Sequence, residues 1–363
     1  MNKYILLFGI ILAAFLNTEG KDYNYFDASS FTVTNKAQSD APVYSRLNVD
    51  KYPDLNAKLR RFFRHSTGIG LRFRTDSPSI RAIWTVPDTE HLTNAPAIAT
   101  KGLDLYIRDE KSGKWLWAGY GSPEYVGKEG NRTLVDNMEW GMKECLLYLP
   151  VFQSLDSLRI GIEKGYVIES DGGFVRAPIV AMGSSFTHGN SVSRPGMAWP
   201  QQLSRMIGID VANLGTSGVC KLEPVLADII ADTDADMFIF DTFSNPTAQE
   251  VRERFVPFVK RIREKHPETP LVFLKTFHRE NTNFDLKKRK VEEDRTAAAE
   301  EELAKVMKTD RNIYYFSPGL YSGDDHETTC DGTHPSDLGY HRAAENISKK
   351  LKPLLKKYKI KQD

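Results

Sequence analysis

Near the end of the chain, Cys330-Asp331-Gly332-Thr333-His334-Pro335 sets a carboxylate three residues before an imidazole. A serine hydroxyl is a weak nucleophile and needs a base to take its proton. The base in turn needs a carboxylate on its other ring nitrogen, which fixes the tautomer and stabilises the imidazolium. Asp331 and His334 can meet within one turn, although a surface Asp and His ahead of a helix is the plainer reading of the loop alone. A serine that could use them stands far upstream, in Gly183-Ser184-Ser185-Phe186-Thr187-His188-Gly189. No Gly lies two residues after Ser185, so this is not a G-x-S-x-G elbow. The Gly-Lys-Ser/Thr ending of a phosphate-binding loop is also absent. By itself the stretch reads equally well as a Gly/Ser-rich turn.

Two further loops hold groups suited to an oxyanion. In Asn213-Leu214-Gly215-Thr216-Ser217-Gly218 the glycines let backbone N–H groups approach a substrate closely. Asp241-Thr242-Phe243-Ser244-Asn245-Pro246 offers the Asn245 side-chain amide. Either is also an ordinary turn. His188, beside the serine in sequence, is poorly placed as its base and reads as a loop or substrate-facing residue. His278 and Arg194 fall near the same rim and are candidate substrate contacts, with a solvated loop as the alternative for His278. His326 beside Asp324 and Asp325 lacks H-E-x-x-H or comparable ligand spacing, so neither a metal nor a cofactor is expected. Trp115 and Trp117 read as sandwich packing rather than a sugar platform.

The elements that must position these loops change rhythm near Arg176. From about Tyr23 to Arg176 the pattern alternates with period two. Ile80, Ala82, Trp84 and Val86 share one face, as do Leu103, Leu105 and Ile107, and Leu158, Ile160 and Ile162. Short strands with turn residues between them, such as Glu110–Gly113, and hardly a helical pattern predict an antiparallel β-sandwich. Beyond Arg176, continuous apolar runs at 179–182, 211–214, 237–240, 271–274 and 313–316 resemble parallel strands buried on both faces. Helical stretches separate them. One opens with the capping-box pattern Thr247-x-x-Glu250 and carries Val251, Phe255, Phe258, Val259 and Ile262. The last carries Tyr340, Ala344, Ile347, Leu351 and Leu355. This predicts a doubly wound α/β/α sheet of five strands, with ligands at the strands' carboxyl ends, where the loops above lie.

The N-terminus has Lys3, an apolar run from Tyr4 to Leu16, and small or polar residues at 17–20, the layout of an export signal peptide. No later run reaches the ~18 apolar residues of a membrane-spanning helix. A secreted or periplasmic protein is expected, with residues 1–20 as leader, 21–176 as sandwich and 177–363 as catalytic domain. Lys and Arg number 49 against 48 Asp and Glu, which argues against a nucleic-acid binder. The lysines of Lys349–Lys361 read as a solvated helix face. Cys145, Cys220 and Cys330 are too few for a disulfide framework, and pairing of Cys220 with Cys330 is open from sequence. Asn131-Arg132-Thr133 matches a glycosylation sequon, a motif common by chance.

Taken in order, Gly-x-Ser, Gly, Asn and Asp-x-x-His resemble the block pattern of SGNH (GDSL-like) hydrolases, over about residues 178–356. Upstream, Gly102-Leu103-Asp104-Leu105-Tyr106 is similar to the signature of a two-domain subgroup with an N-terminal, jelly-roll-like sandwich, as is Ser193-Arg194-Pro195-Gly196-Met197 after the serine loop. The resemblance implies a flavodoxin-like hydrolase fold. It also implies Ser185 as nucleophile, His334 as base and Asp331 as its orienter, with Ser185, Gly215 and Asn245 donating to the oxyanion. Ser184 replaces the usual Asp of Gly-Asp-Ser, and Asn245 sits in Asp-x-x-x-Asn rather than Gly-x-Asn-Asp. The implied activity is hydrolysis of O-acyl esters, chiefly O-acetyl groups on an acylated carbohydrate. An acyltransferase using the same acyl-enzyme and an inert carbohydrate-binding protein are the rival readings.

Overall fold

The computed structural model describes residues 21–87, 92–123, 127–316 and 323–362. The leader expected at residues 1–20 lies outside them. Among the described residues no helix is long and apolar enough to cross a membrane.

The α/β sheet runs in the spatial order Val211–Gly215, Ile179–Gly183, Met237–Asp241, Leu271–Leu274, Ile313–Phe316, every pair parallel. Strand order 2-1-3-4-5 is the flavodoxin-like winding, whose switch point lies beside the first strand. Alternation within each strand feeds two cores. Ile179, Ala181, Ile239 and Val272 pack with the helices Trp199–Ile207 and Asp337–Tyr358. Val180, Met182, Phe238 and Phe273 pack with the helices Pro224–Ala231, Ala248–Arg263 and Leu286–Met307. The capping box is present: Thr247 Oγ1 accepts from Glu250 N at 3.1 Å, and Glu250 Oε2 accepts from Thr247 N at 2.8 Å. In the last helix Leu354, rather than Leu355, completes the buried stripe, and its lysines are exposed.

The N-terminal part is a sandwich of a four-stranded and a seven-stranded sheet, antiparallel except where Phe174–Arg176 pairs with Thr32–Lys36. Trp84 fills its core, fully buried, with Nε1 donating to the Lys101 carbonyl at 2.9 Å. Gly130 must be glycine here, because a Cβ would lie 2.2 Å from the Trp84 ring. Burying such a side chain contributes on the order of 3 kcal/mol.

One stretch departs from the period-two reading. Asn56 caps the helix Ala57–Arg64, its side chain accepting from Leu59 N at 2.9 Å. Leu47, Tyr52, Leu55, Leu59 and Phe63 pack into the α/β core rather than the sandwich. Fully buried Arg46 donates to the carbonyls of His65, Phe62, Asn213 and Gly215, tying this stretch to the second loop of the catalytic sheet.

Candidate active site

Register puts Gly183 level with both Gly215 and Asp241, so the loops after the first three strands leave the sheet at one height. Ser184, extended, caps a short helical turn over Ser185–His188, its side chain accepting from Phe186 N. Behind it, the fully buried Asp241 carboxylate accepts from Ser184 Oγ at 2.6 Å, Ser184 N at 3.2 Å and Thr187 Oγ1 at 3.1 Å through Oδ2. Its Oδ1 accepts from Ser244 Oγ at 2.8 Å. Burial raises the Asp241 pKa, and these donors oppose it. Sequence reasoning read Asp241 only as part of a turn; its partners Ser184 and Thr187 lie more than fifty residues away in the chain.

The structure brings Ser185, His334 and Asp331 together. Ser185 Oγ lies 2.9 Å from His334 Nε2, and His334 Nδ1 lies 2.8 Å from Asp331 Oδ2. Asp331 Oδ1 also accepts from the backbone N–H groups of Thr333 and His334, at 2.9 and 2.7 Å, and Oδ2 from Asn94 Nδ2 at 2.9 Å. Burial works against the Asp331 charge. The donors from His334, Asn94 and Thr333 outweigh it and hold the carboxyl well below the usual carboxylate range. Asn190 Nδ2 lies 3.2 Å from His334 Nε2, and the buried Asn190 Oδ1 has no hydrogen-bond partner among the described residues. Neither Asn94 nor Asn190 carries a spacing signal that could have tied it to the triad.

The second loop corrects one expectation. Gly215 N donates to Asn213 Oδ1 at 2.9 Å, so it is not free for an oxyanion. Gly215 is glycine because a Cβ there would meet His188 N at 2.1 Å. Thr216 N donates to the Gly183 carbonyl and Ser217 N to His188 Nδ1. Gly218, at φ +66°, has the first N–H of this loop without an acceptor among the described residues. Asn245 Nδ2 donates to the neighbouring Val219 carbonyl, and an amide has a second hydrogen to give. Ser185 N, at the first position of its turn, has no acceptor within that turn.

Of the three substrate-contact candidates, His188 and Arg194 are held by the protein's own groups. His188 is fully buried, with Nε2 donating to the Val151 carbonyl at 2.9 Å and Nδ1 accepting from Ser217 N at 3.2 Å. Burial, then nearby Arg46 and His65, keeps its pKa well below that of a free imidazole, so it is a neutral brace for the second loop. Arg194 donates to Asp104 Oδ2 at 2.8 Å and Tyr106 Oη at 2.5 Å, with its guanidinium over the Trp117 ring. Asp104 also accepts from Trp117 Nε1 and Gly196 N. The Asp and Tyr of Gly-x-Asp-Leu-Tyr thus clamp the loop after the serine onto the sandwich. Trp117 is half exposed on that clamp instead of packed inside. His278, half-buried, lies with Glu280 and His326, their donor atoms within 4.8 Å of one another. Hydrogen bonds from His326 Nδ1 and Asn283 to Glu280, and between His278 and Asn283, account for that grouping. All three cysteines are free thiols, Cys220 buried and Cys330 exposed.

Comparison with known proteins agrees with this geometry. Residues 176–352 match the profile of the GDSL-like lipase/acylhydrolase family, and residues 23–168 that of the N-terminus of SGNH-hydrolase-type esterases. A protein described as a GDSL-like lipase from Bacteroides ovatus shares 40% identity and superposes with a TM-score of 0.87, over 94% of this chain and 100% of its own. A salicylyl-acyltransferase of a tetracycline biosynthetic pathway shares the fold at 20% identity and TM-score 0.68, covering 92% of this chain and 97% of that one. A family two carbohydrate esterase from Cellvibrio japonicus does so at 11% and 0.60, covering 93% and 99%. No curated protein matches at the same stringency. With a relative this similar over its whole length, and with both profiles in sequence, the chain belongs to the GDSL-like lipase/acylhydrolase (SGNH) family of ester-bond hydrolases.

Proposed function

We propose that the protein hydrolyses O-acetyl esters on carbohydrate through an acyl-enzyme on Ser185. The observation that carries this reading is the continuous relay from Ser185 Oγ through His334 to Asp331, each link at hydrogen-bond length. Ser185 Oγ attacks the ester carbon as its proton passes to His334 Nε2, and the carbonyl oxygen becomes an oxyanion. Ser185 N–H, Gly218 N–H and the second hydrogen of Asn245 Nδ2 are the donors we assign to that charge. On collapse, His334 returns the proton to the departing sugar oxygen, and the acetyl group stays on Ser185. Water then attacks, His334 takes its proton, and acetate leaves as Ser185 is regenerated.

The carbohydrate part draws support from fold neighbours described as carbohydrate esterases. The division at residue 176, with an export leader over residues 1–20, belongs to the same proposal. Residues of the Leu47–Phe63 stretch then serve the catalytic core from within the sandwich half. The salicylyl-acyltransferase neighbour keeps transfer to an alcohol in view as a second reading.

One time course with acetylated glycans tests both, following ester loss, free acetate and acylated acceptor together. Free acetate should equal ester loss, and Ser185→Ala should cut turnover on the order of 10⁴-fold while melting as the wild type does. Acylated acceptor making up a shortfall in acetate would replace hydrolysis by transfer. Half-retained activity in Ser185→Ala would remove the nucleophile.

A further inference from the structure

Two arginines that the mechanism does not use converge on one atom beside it. Arg279 follows the fourth strand and is half-buried; Arg295 lies on the helix Leu286–Met307 and is buried. Arg279 Nη2 donates to the Ser244 carbonyl at 2.7 Å, and Arg295 Nη1 donates to the same oxygen at 2.9 Å. A carbonyl oxygen has two lone pairs, so both are taken, and by charged donors, whose hydrogen bonds are about twice as strong as neutral ones. Glu292 is counter-ion to the pair. Its Oε1 accepts from Arg279 Nη1 at 2.5 Å and from Arg295 Nη1 at 2.9 Å. The helix does not need these charges to pack, because Ala298, Ala299 and Leu303 already bury it against the sheet's core.

The clamped carbonyl belongs to the peptide that leads into Asn245. On the same residue, Ser244 Oγ donates to Asp241 Oδ1 at 2.8 Å and lies 3.2 Å from Thr276 Oγ1. On the far side, Pro246 restricts Asn245 to an extended backbone. Asn245 therefore leaves a fixed peptide and enters a fixed ring, and its amide gives one hydrogen to the Val219 carbonyl. The turn that follows Arg279 also reaches the base. Asn281 N donates to the Gly332 carbonyl at 2.9 Å and Asn281 Nδ2 to Thr333 Oγ1 at 2.8 Å, between Asp331 and His334.

We propose that Arg279 and Arg295 are positioning residues for the oxyanion hole, which aim the Asn245 amide by clamping the Ser244 carbonyl. The proposal rests on reading Asn245 as an oxyanion donor. Losing such a donor costs about 10²–10³-fold in kcat. Replacing one arginine leaves the other paired with Glu292, so no acid is stranded and the amide is loosened rather than lost. The expected cost is roughly ten- to fiftyfold in kcat, with KM within about twofold, because the charge develops only in the transition state.

The test is a double-mutant cycle on hydrolysis of 4-nitrophenyl acetate, which calls on the serine machinery and not on sugar recognition. Arg295→Met should lower kcat roughly ten- to fiftyfold in the otherwise wild-type chain, and less than about twofold in Asn245→Ala, where no amide is left to aim. Arg279→Met should show the same dependence on Asn245, and Arg295→Lys should recover part of the loss. Arg252→Met, which breaks an exposed pair with Glu301 on the same helix, should leave kcat unchanged. Equal losses in both backgrounds, or a lowered melting temperature with kcat intact, make the cluster a structural pin, which overturns the proposal and leaves the esterase standing. Asn245→Ala turning over as fast as wild type removes the oxyanion assignment and the proposal with it. If the wild-type chain hydrolyses no ester, the esterase reading fails, and the same cycle is run on labelling of Ser185 by an alkyl fluorophosphonate, whose phosphoryl oxygen enters the same hole. Slower labelling that depends on Asn245 supports the clamp; equal slowing in both backgrounds, or no labelling at all, overturns it.

Discussion

At the scale of single residues, two carboxylates at the site are tuned in opposite directions, and each gives a prediction. Asp331 is held below the usual range despite its burial, by four donors. Its folded value lies below its unfolded value of about 3.9, so its contribution to stability is complete above that pH and is lost as pH falls through the folded value. Between pH 4 and 8 no kinetic ionisation should therefore belong to Asp331. Asn94→Ala should move the onset of acid unfolding to higher pH, read from melts between pH 2 and 5. Asp241 is the reverse case, its pKa raised by burial. This explains why Ser184 stands where the family pattern has Asp, since a carboxylate there would face Asp241 Oδ2 at hydrogen-bond distance. Ser184→Asp should lower the melting temperature sharply at pH 8 and partly regain it towards pH 5, as the pair shares a proton. A pH-independent loss would point to sterics instead. Asp331 and His334 were legible because their contact is local. Asn94 and Asn190 were not, because their partners lie 237 and 144 residues away in sequence.

At the scale of elements, periodicity and caps carried the reading where an element's own residues decide its shape. The five buried runs became the five parallel strands, and Thr247 with Glu250 closed their box. The helix Ala57–Arg64 was missed although Asn56 and the Leu59, Phe62, Phe63 stripe announce it, because strands surround it in sequence. Its attachment could not be read at all, since Arg46 reaches carbonyls up to 169 residues away. That attachment braces the loop of Gly215 and Gly218 from behind. Arg46→Met keeps much of the volume and strips four buried carbonyls of a donor. The Phe62 carbonyl keeps its bond from His65 N, and each of the others left without a donor costs about 1–3 kcal/mol, eased where neighbours relax. A loss of roughly 3–5 kcal/mol in denaturant unfolding is expected, with a larger drop in kcat than in KM as the oxyanion loop loosens. Wild-type stability in this variant would show the bonds to be incidental.

At the scale of the whole molecule, the sandwich and the α/β sheet are joined by charge, by packing and by shared core. Arg72 pairs with Asp210 at 2.7 Å, and Asp104 receives Arg194 and Gly196 across the same boundary. Six core residues between Leu47 and Phe63, counting Leu47, Val49, Tyr52, Leu55, Leu59 and Phe63, lie in the cluster on one face of the catalytic sheet. Cutting the chain at residue 177 would thus do more than remove an accessory module. It would strip a patch of apolar side chains from that face, leave Asp104's clamp unmade, and take away the Asn94 donor to Asp331. An exposed apolar face of that kind drives association. Expression of residues 177–363 alone should give aggregated or poorly soluble protein, and soluble material should lack cooperative melting. Adding residues 21–176 as a separate chain should not restore activity unless the two halves fold together, because the Leu47–Phe63 stretch must enter the second half's core. Chromatography and a melting curve on the fragment decide the matter. A soluble, cooperatively melting fragment with full esterase activity would show the sandwich to be separable and the shared core dispensable.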